Sequence, residues 1–338
     1  MNYILLLILF LVIYFINQFL LKKNLLLNYS GQVHQVFTGE QKVPLSGGIY
    51  ILILVSLLFF YIDYLFIFFI FFIFLIGFFS DLNILSSIKL RFLIQLLIVG
   101  IFVYILDISI TSTRISYIDF FLTNRVFSII FTIFCLLIVI NGTNFIDGLN
   151  GLVLGYYSSI LLILTKLDFF LILNFEPFIL NYFFLTLIYL YFLNICSKMF
   201  LGDSGAYLLG LSFSILLIIR FETHQNFSPF FIVLLLWMPC FENLFSIIRK
   251  FSFKVSPASP DNNHLHQLIF FFLKKTFKIK NTLINNLSSL IIIFYNLIIF
   301  YLGSLDIYNT KYQILLISIN ILNYLIVYNL LFRYKNRY

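Results

Sequence analysis

The chain has 338 residues, of which 62% are hydrophobic, 20% aromatic and only 10% charged, and its mean hydropathy is +1.07. Soluble domains carry about 25% charged residues, and a chain this long must wet more surface than these charges can cover, so composition excludes a soluble globular protein and leaves lipid as the solvent. The net charge of +8 is spread between apolar runs, where membrane topology accounts for it, which argues against a nucleic-acid partner.

In chain order, eleven apolar runs stand out: 3–21, 47–62, 64–79, 92–106, 126–141, 151–166, 178–195, 205–220, 229–247, 286–302 and 313–332. Most reach the roughly 15 to 20 residues that cross about 30 Å of hydrocarbon at 1.5 Å per residue. In lipid the backbone must satisfy its own hydrogen bonds, so these runs read as helices; the alternating polarity of an outer-membrane barrel is missing. The expectation is an all-α, polytopic integral membrane bundle of about eleven transmembrane helices, forming a single catalytic domain over 1–338. The run Ile4–Leu21 lacks a basic leader and a small-residue cleavage site, and reads as a retained span. Cys135 and Cys240 lie within apolar runs, and with Cys196 they show no metal-ligand spacing.

The basic residues give an orientation. Lys22, Lys23, Lys42, Lys89, Arg91, Lys198, Arg249, Lys250, Lys254, Lys274, Lys275, Lys278, Lys280, Arg333, Lys335 and Arg337, 16 of the 21, fall in the loops of one side or in the tail. The positive-inside rule places that side in the cytoplasm, with the N-terminus outside and the C-terminus inside.

The polar motifs fall in the loops of that same face: Pro44 to Gly48, Ser80-Asp81, the segment Asn141 to Gly151, Gly202 to Gly205, and Ser259 to His266. Consecutive motifs are two spans apart, so helix packing can gather them around one pocket. A transporter places its polar groups near mid-membrane on broken helices; here they collect at span ends, which favours catalysis where a soluble substrate meets a membrane-held one.

Asp203 follows Gly202 where a span begins; its carboxylate suits Mg²⁺ and equally suits a helix N-cap. Asn141, Asn144, Asp147 and Asn150 recur every three residues, which gathers amides and a carboxylate on one helical face, while Gly142, Gly148 and Gly151 point to a turn. His264 and His266, read in an extended segment, direct both rings the same way and suit metal or phosphate, or are structural; Asp261 is close by. Asp81 ends an apolar run and is followed by Lys89 and Arg91. Glu242 lies near a span end, as a functional candidate or a snorkelling side chain. Lys274, Lys275, Lys278 and Lys280 read as an interfacial segment touching anionic lipid. Acids, cations and amides together suit phosphoryl transfer, where catalysis is mostly positioning and charge neutralisation.

At this point the motifs resemble the polyprenyl-phosphate N-acetylhexosamine-1-phosphate transferase family. The similarity runs over roughly 30–270 and rests on Asn141-x-x-Asn144-x-x-Asp147-Gly-x-x-Gly151, Phe200-Leu-Gly-Asp203-x-Gly, Ser259-Pro-Asp261-x-x-His264-Leu-His266, and more weakly on Pro44–Gly48 and Leu85–Gln95 with Lys89. The resemblance implies transfer of a HexNAc-1-phosphate, GlcNAc-1-phosphate on the His-x-His pattern, from a UDP-sugar to undecaprenyl phosphate at a bacterial plasma membrane, releasing UMP. This is the first membrane step of an envelope polysaccharide. Mg²⁺ is the implied cofactor, with Mn²⁺ as a substitute, and a homodimer is compatible with it.

Carried over residue by residue, the resemblance makes Asp203 the metal ligand and places Phe200 on uracil. Asp81, Asp147 and Asp203 become the catalytic carboxylates, and Asn141, Asn144, Asn150, Lys89, His264 and His266 the substrate-binding set. Three departures bear on mechanism: Ser80 stands where the family has a first of two acids, Asn150 where many relatives have Asp, and Gln267 where a third histidine occurs. Two rival readings remain at this level, a catalytically impaired UDP-sugar-binding relative, motivated by Ser80, and a transporter of lipid-linked sugars. The transporter would require charges at mid-span and an internal repeat, and neither is visible.

Overall fold

In a computed structural model, residues 2–27, 42–60, 63–167, 177–223, 225–252, 254, 256 and 262–337 are described. Among them the chain forms fourteen α-helices: α1 (Asn2–Lys23), α2 (Gly47–Phe59), α3 (Tyr64–Asp81), α4 (Ile88–Ile105), α5 (Ser116–Leu122), α6 (Arg125–Ile146), α7 (Leu152–Lys166), α8 (Pro177–Ile195), α9 (Gly202–Thr223), α10 (Pro229–Leu235), α11 (Trp237–Ser252), α12 (Leu265–Thr276), α13 (Asn281–Ser304) and α14 (Thr310–Arg337). Each of the eleven apolar runs becomes helical. Seven helices (α1, α3, α4, α6, α9, α13 and α14) are long and apolar enough to cross a membrane, and α10 with α11 makes an eighth if the bent pair is one span; α2, α7 and residues 180–195 of α8 are shorter apolar helices. The chain is a helical polytopic membrane bundle.

Helix starts follow local chemistry. Asp63 accepts from the Leu65 N–H at 2.8 Å and opens α3, Asn124 accepts from Val126 at 2.9 Å and opens α6, and Ser228 followed by Pro229 opens α10. Each satisfies donors that a helix leaves orphaned in its first turn, which matters more where water is scarce.

Two expectations need correction. The run 229–247 is not one span but breaks at Leu236, where α10 and α11 meet at 73°. Pro239 is the cause: it has no N–H for the Leu235 carbonyl, four residues back. That carbonyl instead accepts from the Tyr156 hydroxyl of α7 at 2.7 Å, and the Trp237 indole donates to Asn296 of α13 at 2.8 Å. Second, the stretch between the apolar runs 229–247 and 286–302 is not only connection, since it contains the amphipathic helix α12.

α9 occupies the centre, with α2, α3, α6 and α7 packed around it. Its span is 94% buried, against 17% for α1 and 22% for α4 and α14. Chain direction alternates, so the end of α3, the start of α4, the end of α6, the start of α7, the end of α8 and the start of α9 come to the same end of the bundle. That end holds every polar motif described above.

Candidate active site

The site is built from helix ends. α3 contributes Ser80 and Asp81 from its last turn, α4 contributes Arg91 from its first, and α9 begins with Gly202 and Asp203. The Asp81 carboxylate accepts from the backbone N–H of Asp203 at 2.8 Å and of Ser204 at 3.2 Å, and from the Ser204 hydroxyl at 2.6 Å. It caps α9 from another helix. The approach is close: Gly202 has φ +74°, and a Cβ there would lie 2.7 Å from Asp81 Oδ2, so both conformation and space require glycine.

Asp203 is held by its side chain as well. The Ser80 hydroxyl donates to Asp203 Oδ2 at 2.6 Å, and Arg91 donates to the same oxygen and to Ser80 Oγ. Arg91 and Asp203 are partly buried, so the pair is less screened than a surface bridge. Asp203 Oδ1 has no hydrogen bond among the described residues. Lys89, the cation singled out from the sequence, is exposed. Residues two apart lie on different sides of a helix, and Arg91 takes the inward position.

The glycine-rich segment forms the end of α6 and a tight turn. The Asn141 side chain donates to Gln95 Oε1 at 3.0 Å and to the Leu137 carbonyl at 2.9 Å. Asn144 and Asp147 are partly exposed, and neither side chain is hydrogen-bonded among the described residues. Burial, with the charges of Asp203 and Asp81 added, holds the Asp147 carboxyl well above the usual carboxylate range. Asn150 departs from the expected shared face. It is buried, its N–H donates to Asn285 Oδ1 at 2.7 Å and its side chain to Ser197 at 3.1 Å. It ties the turn to α13 and to the turn that follows α8.

The Pro44–Gly48 motif runs along Phe200. The Phe200 N–H donates to the Pro44 carbonyl at 2.9 Å, and Gly47 and Gly48 donate to the Phe200 and Leu201 carbonyls at 3.0 and 3.1 Å. The Phe200 ring is partly exposed, as a base-stacking role requires.

The histidine segment starts a helix and is not extended throughout: His264 precedes α12 and His266 lies in its first turn. The rings nonetheless stack at 5.7 Å and 15°, with Phe145 5.5 Å from His264. Glu242, 1% exposed, lies beside His264 Nδ1 at 3.1 Å and accepts from the Leu265 N–H at 3.1 Å; it is a buried partner of the histidine loop and does not snorkel. A Cβ on Gly148 would collide with the His266 ring, so this glycine lets the α6–α7 turn reach α12. Arg249 donates to the Asn263 carbonyl at 3.1 Å, and Lys335 of α14 to the Asn262 carbonyl and Asn263 Oδ1, both at 2.8 Å. Ser259, Pro260 and Asp261 lie outside the described residues.

Arg91, Ser80 and Glu242 stand out in the sequence as neighbours or candidates, but without the contacts they make in the site. The signal for Arg91 was its position beside Lys89 within Leu85–Gln95; which of the two faces inward is a matter of helix phase. Among the described residues, no three His, Cys, Asp or Glu side chains converge as a metal cluster. Mg²⁺ does not require one, because one or two carboxylates with substrate phosphates and water complete its shell. Asp203, with one oxygen open, and Asp147, under the repulsion of two other carboxylates, have the hard oxygen donors that such an ion needs.

A partly buried acidic site at one end of a helical membrane bundle defines the class, a membrane-embedded protein with its charged groups gathered at one end. Residues 64–221 match the model of Glycosyl transferase family 4. Over 148 residues it is 32% identical to undecaprenyl-phosphate alpha-N-acetylglucosaminyl 1-phosphate transferase of Thermotoga maritima, covering 43% of each chain. Over 207 residues it is 30% identical to the probable undecaprenyl-phosphate N-acetylglucosaminyl 1-phosphate transferase of Bacillus subtilis, covering 58% of this chain and 55% of the relative. The Escherichia coli K12 undecaprenyl-phosphate alpha-N-acetylglucosaminyl 1-phosphate transferase is 26% identical over 248 residues, covering 67% and 65%. The chain thus spans about half the length of the first two of these relatives.

Proposed function

We propose that this protein transfers N-acetylhexosamine-1-phosphate, with GlcNAc as the sugar, from a UDP-sugar to undecaprenyl phosphate. An oxygen of the lipid phosphate attacks the sugar-bearing phosphorus, the bond to the bridging oxygen breaks, and UMP leaves; the product is undecaprenyl-diphosphate-HexNAc. The observation that carries the reading is the meeting of Asp203, Asp81 and Arg91 from three helices at one end of the bundle, with Asp147 near enough for the two carboxylates' charges to act on it. The family match and the names of the relatives support it.

A phosphate monoester has a second pKa near 6, so the lipid phosphate is already mostly dianionic at pH 7 and the site needs no strong base. Its task is to hold two anions together. Asp203 and Asp147 would hold Mg²⁺, which when bound neutralises charge on the diphosphate. Arg91, beside Asp203, adds a fixed positive charge. Asn144 faces the nucleotide-sugar, Phe200 offers a ring face for uracil, and His264 and His266, fixed by Glu242 and Gly148, contact phosphate or sugar. The distribution of basic residues supports a cytoplasmic site, an external N-terminus and an internal C-terminus.

Membranes containing the protein, given labelled UDP-GlcNAc and undecaprenyl phosphate, are expected to yield an organic-extractable labelled product and UMP. One observation favours a second reading: Ser80 replaces an acid, and both it and Arg91 occupy an oxygen of Asp203. Magnesium-dependent UDP-GlcNAc binding with no product would establish that binding-only relative and end the transferase reading.

A further inference from the structure

The two neighbouring residues that end α3 divide the work of holding Asp203. Ser80 and Arg91 grip its side chain at Oδ2. Asp81 grips its backbone: Oδ1 accepts from the Asp203 N–H, and Oδ2 accepts from the N–H and the hydroxyl of Ser204. Both oxygens of Asp81 are therefore spent on the first turn of α9, and each faces donors that a helix start leaves unsatisfied. A carboxylate so placed also faces the positive end of the α9 dipole. Its neighbour across the contact is Gly202, with no room for even a Cβ.

We infer that Asp81 is a positioning residue, which acts through Asp203 by capping α9 and takes no direct part in contacting substrate or cation. The inference rests on the transferase reading for its activity arm only. Capping needs hydrogen-bond acceptors more than charge: Asn keeps one of the two acceptor oxygens that α9 uses here, and Ala keeps neither. A carboxylate that ligates a cation or contacts the reacting phosphates needs its charge, and there Asn fails as badly as Ala.

Three variants separate these roles: Asp81→Asn, Asp81→Ala and Asp203→Asn. Asp81→Asn is expected to fall between wild type and Asp81→Ala in turnover, with the Mg²⁺ concentration for half-maximal rate unchanged. Asp81→Ala is expected to lose about 100-fold or more, close to the loss in Asp203→Asn; removing one fixed electrostatic group from an active site commonly has such an effect. A cap readout stands apart from activity. Amide hydrogen exchange of purified protein should be fastest over residues 203–206 in Asp81→Ala and intermediate in Asp81→Asn. If Asp81→Asn is as inactive as Asp81→Ala while its exchange stays slower than in Asp81→Ala, Asp81 acts directly and the inference is overturned. If wild type itself shows no turnover, the transferase reading falls, and the exchange arm alone decides the cap: equal exchange in Asp81→Ala and wild type would refute it.

Discussion

The two ends of the bundle handle polar groups in opposite ways. At the far end, Arg114 donates to the carbonyls of Tyr308, Gln225, Asn226 and Phe227 and to the Thr310 hydroxyl at 2.8 to 3.2 Å, Glu222 accepts from the N–H and hydroxyl of Thr111, and Asp119 accepts from Thr113. Each of these charges is answered by several neutral partners, and the connections between helices are thereby fastened. At the site end, burial and the charges of Asp203 and Asp81 raise the cost of ionising Asp147, and Asp147 and Asn144 are left without hydrogen bonds among the described residues. The far end is arranged for satisfaction, the site end for readiness to bind. Leaving like charges close together is costly, and it recurs where a protein must capture an ion or a phosphate.

Variants at the two ends sharpen this contrast. The largest effect is expected for Asp203→Asn: turnover falls by about 100- to 1,000-fold in the radiolabel assay with little change in thermal unfolding, because the amide keeps its size and its place in α9. Next is Gly148→Ala, which drives a methyl group into His266; overpacking of this kind costs about 1–3 kcal/mol, and both the unfolding temperature and turnover should drop. Arg114→Ala should do the reverse of Asp203→Asn. It removes five hydrogen bonds, lowers stability in detergent by about 1–3 kcal/mol, and leaves turnover per folded molecule unchanged. Tyr156→Phe strips the Leu235 carbonyl of its donor at the α10–α11 break; the expected loss is about 1 kcal/mol, read as a small fall in unfolding temperature.

The smallest signal is a proton count. The Asp147 carboxyl keeps its proton to higher pH than a free carboxylate, and a bound dication favours the ionised form. Mg²⁺ binding should therefore release protons, more at pH 6 than at pH 8, which calorimetry in two buffers of different ionisation enthalpy detects. Equal heats in both buffers would remove Asp147 from the cation's surroundings.

Much of this was legible in the chain. Apolar run length located the apolar helices, because crossing hydrocarbon imposes a length on the sequence, although seven, or eight with the bent pair, rather than eleven are long enough to cross, and loop parity brought the polar motifs to one end. What was not legible depends on contacts between distant positions. Asp81 and Ser204 are more than a hundred residues apart, and nothing near either residue shows that one caps the other. Lys89 and Arg91 look equivalent in a string, and only the phase of α4 separates them. Asn150 resembles Asn144 by spacing, yet by that point the chain has left the helix and its amide meets Ser197, just past the end of α8. The break in 229–247 was foreshadowed by Pro239, but its geometry depends on Tyr156, which belongs to a different helix.

Because α9 is enclosed by its neighbours while α1, α4 and α14 meet the lipid, the two sets should respond differently to their surroundings. Peripheral helices can tilt when acyl chains lengthen or shorten, at a cost of fractions of a kcal/mol per ångström. The helix carrying Asp203 has no lipid to match. Bilayer thickness should thus reach the carboxylate only second-hand, and the protein should tolerate membranes of differing thickness better than its many long apolar helices suggest.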